Sequence, residues 1–196
     1  MKANESLQED EEGAIKIAII SSSVRPDRNS HRVVLYFEKY LAEHVQATTE
    51  ILDLKAYDFP IFTETLKLQK KPAPNVLEFA KKIKESDGII IVTPEYNGGV
   101  PASLKNAIDL LLEEWRHKPV AIATVSAGPF GGTHAQVALQ FMLWKIKAWT
   151  ITEQFCVPTV QKSFDEKGNA SDQTATDKLA QPFIKELLWC IEADKK

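Results

Sequence analysis

Short runs of isoleucine and valine, each followed by a stretch with helical spacing, constrain this chain more than any other feature. Residues 14–20 read AIKIAII, and similar runs recur at residues 49–54, 88–93, 119–125 and 152–157. A strand apolar at consecutive positions is buried on both faces. Between the runs, side chains that can share one helix face recur every three or four residues. Val33, Phe37, Tyr40, Leu41 and His44 do so within residues 31–45, and residues 76–84, 104–115, 133–149 and 177–191 repeat the pattern. Five strands alternating with five helices predict an α/β three-layer sandwich, a parallel sheet with helices on both faces. No repeat or linker divides the 196 residues, a length that suits one domain. Residues 1–13 are acidic, lack an apolar core and are expected to be a disordered tail, which leaves a single domain over residues 14–196. Residues 59–74, the longest irregular stretch, are either a lid or a surface loop.

Composition excludes several partners. A net charge of −3 with scattered Lys and Arg gives no reason to expect nucleic acid or an anionic membrane. No apolar run reaches the roughly 20 residues of a membrane span. Cys156 and Cys190 form no CxxC and no disulfide framework, so a reducing, cytoplasmic setting is expected. His31, His44, His117 and His134 lack ligand spacing, so no metal site is expected.

The stretch at 133–149 is apolar nearly all round: Val137, Leu139, Phe141, Met142, Leu143, Trp144 and Trp149 cannot share one stripe. Either its outer side meets a second subunit or the helix is deeply buried in a monomer; the first is the expectation.

In an open parallel sheet, ligands sit beyond the carboxyl ends of the strands. Three loops there carry unusual residues. The first, SSSVRPDRNS (residues 21–30), offers the hydroxyls of Ser23 and Ser30, the cation of Arg25 and an N-cap in Asn29 or Ser30, a set suited to a phosphate held without metal. It lacks the Walker Gly-Lys-Ser/Thr ending and the GxGxxG fingerprint; a loop whose serines only cap and turn is the alternative. The second, PEYNGGVPASLKNAID (residues 94–109), stops a strand at Pro94, turns through Gly98 and Gly99, and enters a helix at Pro101. The backbone of Glu95, Tyr96 and Asn97 offers hydrogen bonds to the edge of a planar heterocycle, and Tyr96 a flat wall. The third, SAGPFGGTH (residues 126–134), forms a close-approach wall through its three glycines and Phe130, with Thr133 as cap; Ser126, Gly128 and Gly131 are its candidate cofactor-binding residues. A Ser126 nucleophile with His134 as base is a remote alternative, since the first glycine of the serine-hydrolase elbow is missing.

These loops resemble those of the NAD(P)H-dependent FMN reductase family of flavodoxin-like proteins, which includes quinone, azo-dye and chromate reductases. SSSVRPDRNS is similar to its Gly-Ser-x-Arg-Pro-x-Arg phosphate loop, with Ser23, Arg25 and Ser30 at matching positions; Ser22 stands where glycine is usual and Asp27 where small residues are common. PEYNGGVPASLKNAID matches its Pro-Glu-Tyr-Asn…Pro…Leu-Lys-Asn segment at nearly every position. The resemblance covers about residues 15–157. It implies a flavodoxin-like sheet of order 2-1-3-4-5 and tightly bound FMN, with the phosphate in the first loop and the ring against Pro94, Glu95, Tyr96 and Asn97. It further implies NADPH or NADH as co-substrate, and hydride transfer to FMN and on to a quinone, azo compound, metal ion or free flavin by a ping-pong route. No catalytic side chain is required, because the flavin carries the hard step. A homodimer is implied as well, with a tetramer as the larger alternative. The rival reading is a non-enzymatic flavoprotein, an electron carrier or redox-sensing partner of another protein. A receiver-type signalling domain is set aside, because Ser21-Ser22-Ser23 and Thr93-Pro94 stand where its acids belong.

Overall fold

The computed structural model describes residues 14–195; the stretch expected to be a disordered tail lies outside the described residues. The apolar runs form β1 (Ile15–Ser21), β2 (Ala47–Asp53), β3 (Gly88–Pro94) and β4 (Pro119–Val125), followed by two short pieces, β5 (Trp149–Thr150) and β6 (Phe155–Val157). The helices are α1 (Ser30–His44), α2 (Leu54–Tyr57), α3 (Pro74–Glu85), α4 (Ala102–Leu110), α5 (Thr133–Lys145), α6 (Val160–Ser163) and α7 (Gln173–Asp194). The sheet is parallel, in the order β2-β1-β3-β4-β5 that the family resemblance implies.

Each central strand feeds two cores. Ile17, Ile19, Ile90 and Val92 enter one with α1 and α7, where Tyr36, Phe37, Phe155 and Phe183 cluster. Ala18, Ile20, Ile89 and Ile91 enter the other with α3, α4, α5 and the fully buried Trp115. This two-sided demand is why the strands read as continuous aliphatic runs. Tyr36 is anchored beside its core by donating to Asp177.

Three expectations need correction. The fifth strand, expected over residues 152–157, is split, giving a sixth strand off the main order: β5 pairs Pro119 and Val120, and β6 pairs Ala123 to Val125. While β4 advances from Val120 to Ala123, the edge chain runs from Thr150 to Phe155, so extra residues bulge out and Ile151 turns into the core. The helix expected over 133–149 stops at Lys145, and the chain reverses at Lys147 with φ 65°. The helix expected over 104–115 stops at Leu110, because a 3-10 turn at Glu113–Trp115 is needed to swing Trp115 inward.

The inner side of α5 buries Ala135, Gln136, Leu139 and Leu143. Its outer side leaves Val137, Phe141 and Trp144 at 67%, 63% and 66% exposure, one stripe at helical spacing. A deep core helix is therefore ruled out for the isolated chain. The long loop is pinned at its start: Asn106 donates to the Pro60 carbonyl at 2.8 Å and accepts from the Phe62 amide at 2.6 Å. Among the described residues, no helix is long and apolar enough to cross a membrane.

Candidate functional site

The first loop leaves the sheet at the β1/β3 switch point, where strand order reverses. Its three serines face three ways. Ser21 Oγ lies 3.0 Å from His31 Nδ1; burial first, and then the Arg28 charge, push that imidazole below its ordinary pKa. Ser22 Oγ donates to the Val92 carbonyl at 2.9 Å, while its own carbonyl accepts from Ser103 Oγ at 2.6 Å. The hydroxyl that replaces the family's glycine is thereby satisfied inside the sheet. Ser23 Oγ meets the Tyr96 hydroxyl at 2.8 Å, joining the first loop to the second.

Arg28 is the strut of this loop. Its Nη1 donates to the Ser23 carbonyl at 2.9 Å, and its guanidinium forks onto both carboxylate oxygens of Asp53, at the end of β2. It is Asp53 and not Asp27 that engages Arg28. Burial alone would raise the Asp53 carboxyl, but Arg28 and the Lys55 amide together hold it below its ordinary value. Asn29 occupies the N-cap of α1 with helical dihedrals and makes no side-chain cap bond. The amides of His31 and Arg32 turn back onto the carbonyls of Arg28 and Asn29. Ser30, the first helical residue, is 3% exposed, and its hydroxyl has no partner among the described residues.

The second loop is a two-residue hairpin. Tyr96 and Gly99 exchange both backbone hydrogen bonds around Asn97 (φ 52°) and Gly98 (φ 77°). An Asn-Gly pair with both φ positive is the preferred chemistry for such a turn. The amides of Asn97 and Gly98 have no acceptor among the described residues. Arg25 lies over the Tyr96 ring, 5.8 Å from its centre, so that face is shared with a cation.

The third loop is held from outside. Ser126 Oγ donates to the Gly128 carbonyl at 2.8 Å, and His134 faces Glu95, so Ser126 and His134 form no nucleophile–base pair. Gly132, and not Thr133, is the N-cap of α5. The Glu95 carboxylate accepts from the His134 and Ala135 amides at 3.0 and 3.4 Å. Gly131 (φ 64°) lets the loop settle on β6, where an added Cβ would stand 3.0 Å from Cys156 Cβ.

Between the loops lies a cleft of about 300 Å³. Of the eleven site residues expected from sequence, Ser23, Arg25, Asn29, Ser30, Pro94, Glu95, Tyr96 and Ser126 line it; Asn97, Gly128 and Gly131 do not. Val160 and Gln161, at the start of α6, also line it. They carried no signal in the sequence, since only the return of the chain after β6 brings them there. With Arg28 committed to Asp53, Arg25 is the lining cation with no carboxylate partner among the described residues. One free cation and one orphaned hydroxyl at a helix start suit a small anion such as a phosphate monoester. Among the described residues, no group of three or more His, Cys, Asp or Glu is placed to hold a metal ion.

The comparisons agree with this geometry. The chain is 35% identical over 142 residues to a quinone reductase of Escherichia coli K12, covering 69% of this chain and 72% of that protein. It is 32% identical over 146 residues to an NAD(P)H-dependent FMN reductase of Saccharomyces cerevisiae, covering 68% and 75%. In fold it superposes on a flavoenzyme NAD(P)H:acceptor oxidoreductase of Paracoccus denitrificans with a TM-score of 0.76 at 23% identity, covering 91% of this chain and 98% of the other. The profile described as NADPH-dependent FMN reductase matches residues 15–162. The switch-point cleft, the hairpin carrying the Pro-Glu-Tyr-Asn segment and this match together make the chain a member of the NADPH-dependent FMN reductase family, a family of oxidoreductases.

Proposed function

We propose that the cleft binds FMN, its phosphate against Ser23, Arg25, Asn29 and Ser30 and its ring beside Pro94, Glu95, Tyr96 and Asn97, with Ser126, Gly128 and Gly131 closing one side. The observation that carries this reading is the Ser30 hydroxyl, buried without a partner among the described residues at the head of the cleft. Buried polar groups are rarely left unpaired, and a phosphate oxygen is the acceptor this hydroxyl lacks. When bound, FMN supplies the two-electron centre that takes hydride from NADPH or NADH and returns electrons to an acceptor. The chain's own residues bind and orient. Arg25, now over the Tyr96 ring, would neutralise phosphate charge, and the Arg28–Asp53 strut fixes the Ser23 carbonyl.

The finer reading is a ping-pong route in which the oxidised nicotinamide leaves before a quinone, azo compound, metal ion or free flavin enters. The protein acts in the cytoplasm as a homodimer whose subunits meet through Val137, Phe141 and Trp144 of α5; a tetramer would need a further face. The test is an FMN titration of the purified apo-protein followed by steady-state NADPH oxidation with a quinone. Saturable binding with turnover and parallel double-reciprocal lines is expected. Binding without turnover would favour an electron carrier, and no binding would sink the reading.

A further inference from the structure

Glu95 leaves β3 with its amide donating to the Val125 carbonyl at the end of β4, at 3.2 Å. Its side chain then crosses to α5. One carboxylate oxygen accepts from the His134 amide at 3.0 Å and the Ala135 amide at 3.4 Å; the other lies 3.2 Å from His134 Nδ1. The reason is found in Gly132. That residue is the N-cap of α5, sits at φ 84°, and is closely hemmed in: an added Cβ would stand 3.0 Å from Thr124 Cβ and 3.3 Å from the Val125 amide nitrogen. A glycine has no side chain to cap with, and the first turn of α5 carries no acid of its own. The orphaned amides and the positive end of the helix need a carboxylate from elsewhere. Glu95 also lines the cleft.

We propose that Glu95 is a positioning residue: as the carboxylate that caps the first turn of α5 from another loop, in place of a side chain at Gly132, it sets the third loop against the second and thereby fixes the width of the cleft that receives FMN. This rests on the flavin reading above. Glu95 acts through α5, and the acid of the second loop is required by the neighbouring helix.

The experiment uses the full chain with Glu95→Ala, Glu95→Gln and His134→Ala. Amide hydrogen exchange of His134 and Ala135 is measured without ligand, and FMN affinity by quenching of flavin fluorescence. Glu95→Ala is expected to speed exchange at both amides, weaken FMN by at least about tenfold and alter the visible circular dichroism of FMN bound at saturation. Glu95→Gln keeps one acceptor oxygen and is expected to fall between wild type and alanine on every measure, which decides the matter should the alanine variant fail to fold. His134→Ala, which keeps both backbone donors, should stay within about threefold of wild type. Unchanged exchange in Glu95→Gln and Glu95→Ala would overturn the cap. Faster exchange with unchanged FMN affinity would overturn the positioning role alone. A wild-type chain that binds no FMN would overturn the flavin reading, and the positioning role with it, while leaving the exchange result to judge the cap.

Discussion

Replacing Ser30 with alanine should make the apo-protein more stable and its flavin binding worse. The Ser30 hydroxyl is at the first helical position of α1, 3% exposed and without a hydrogen-bond partner among the described residues. A buried unpaired hydroxyl costs about 1–3 kcal/mol. Alanine removes that cost, leaves only a small void and is at least as good a helix former. At roughly 2–4 °C per kcal/mol for a chain of this size, the apo-protein should melt about 2 °C or more higher. With phosphate bound, the same hydroxyl would donate to a charged oxygen, a bond worth about 1.5–3 kcal/mol, so the variant should bind FMN about ten- to a hundredfold more weakly. Scanning calorimetry of the flavin-free protein reads the first effect, and fluorescence-quenching titration reads the second. The opposite signs make the test stringent, because a general packing defect lowers both quantities. A variant that melts at or below wild type, with FMN affinity within twofold, would refute the assignment of Ser30 to the phosphate.

Three further perturbations follow from named contacts. Asp53→Asn breaks the fork that braces Arg28, and should cost roughly 1.5–3 kcal/mol at neutral pH. Because the Asp53 pKa is depressed in the folded chain, its contribution is present above the unfolded value near 4 and fades as pH falls through the lower folded value. The stability gap between wild type and Asp53→Asn, measured by urea unfolding, should therefore shrink below about pH 4, and a gap independent of pH would count against the pair. Gly168→Ala adds a Cβ 2.8 Å from the Tyr36 amide nitrogen and 2.9 Å from the Arg32 carbonyl at φ 80°, and should cost about 2–4 kcal/mol, read as a fall in melting temperature. An unchanged melting temperature would show that the 165–170 turn can lift off α1. Trp144→Lys places a charge on the exposed stripe of α5 and should weaken self-association at least about thirtyfold in sedimentation equilibrium, whereas a wild-type chain monomeric at high concentration would refute that interface.

What the sequence makes legible is whatever a residue must satisfy through its own neighbours in the chain. Ile17 to Ile20 must be buried on two faces, so β1, β3 and β4 are readable as aliphatic runs, while their order in the sheet comes only from the family resemblance of the loops. The glycines of the second loop announce a turn, although the positive φ values fall at Asn97 and Gly98 and not at Gly98 and Gly99. The fifth strand was less readable, since nothing local in residues 149–157 tells an edge bulge from a continuous strand; that depends on the register with β4. The motifs of the three loops identify which residues gather at the switch point, but not which partner each one takes. Arg28 could face Asp27, one residue away, or Asp53, and only the ending of β2 beside the first loop selects Asp53.

Glu95 carries the point furthest. In the chain it belongs to the second loop, and a ligand-facing role is the natural reading of an acid beside Tyr96 and Asn97. Its carboxylate is instead claimed by α5, because the close approach of the third loop to Thr124 and Val125, together with φ 84°, favours glycine at the N-cap. The need arises at one position and is met thirty-seven residues earlier, across two strand ends. Local patterning conveys neither half of that exchange, since the glycine looks like flexibility and the acid looks like chemistry. The two become one statement only when the exits of β3 and β4 are set side by side. On this reasoning a motif such as Pro-Glu-Tyr-Asn can owe one of its letters to the stability of a neighbouring helix, with its influence on the ligand arriving second-hand.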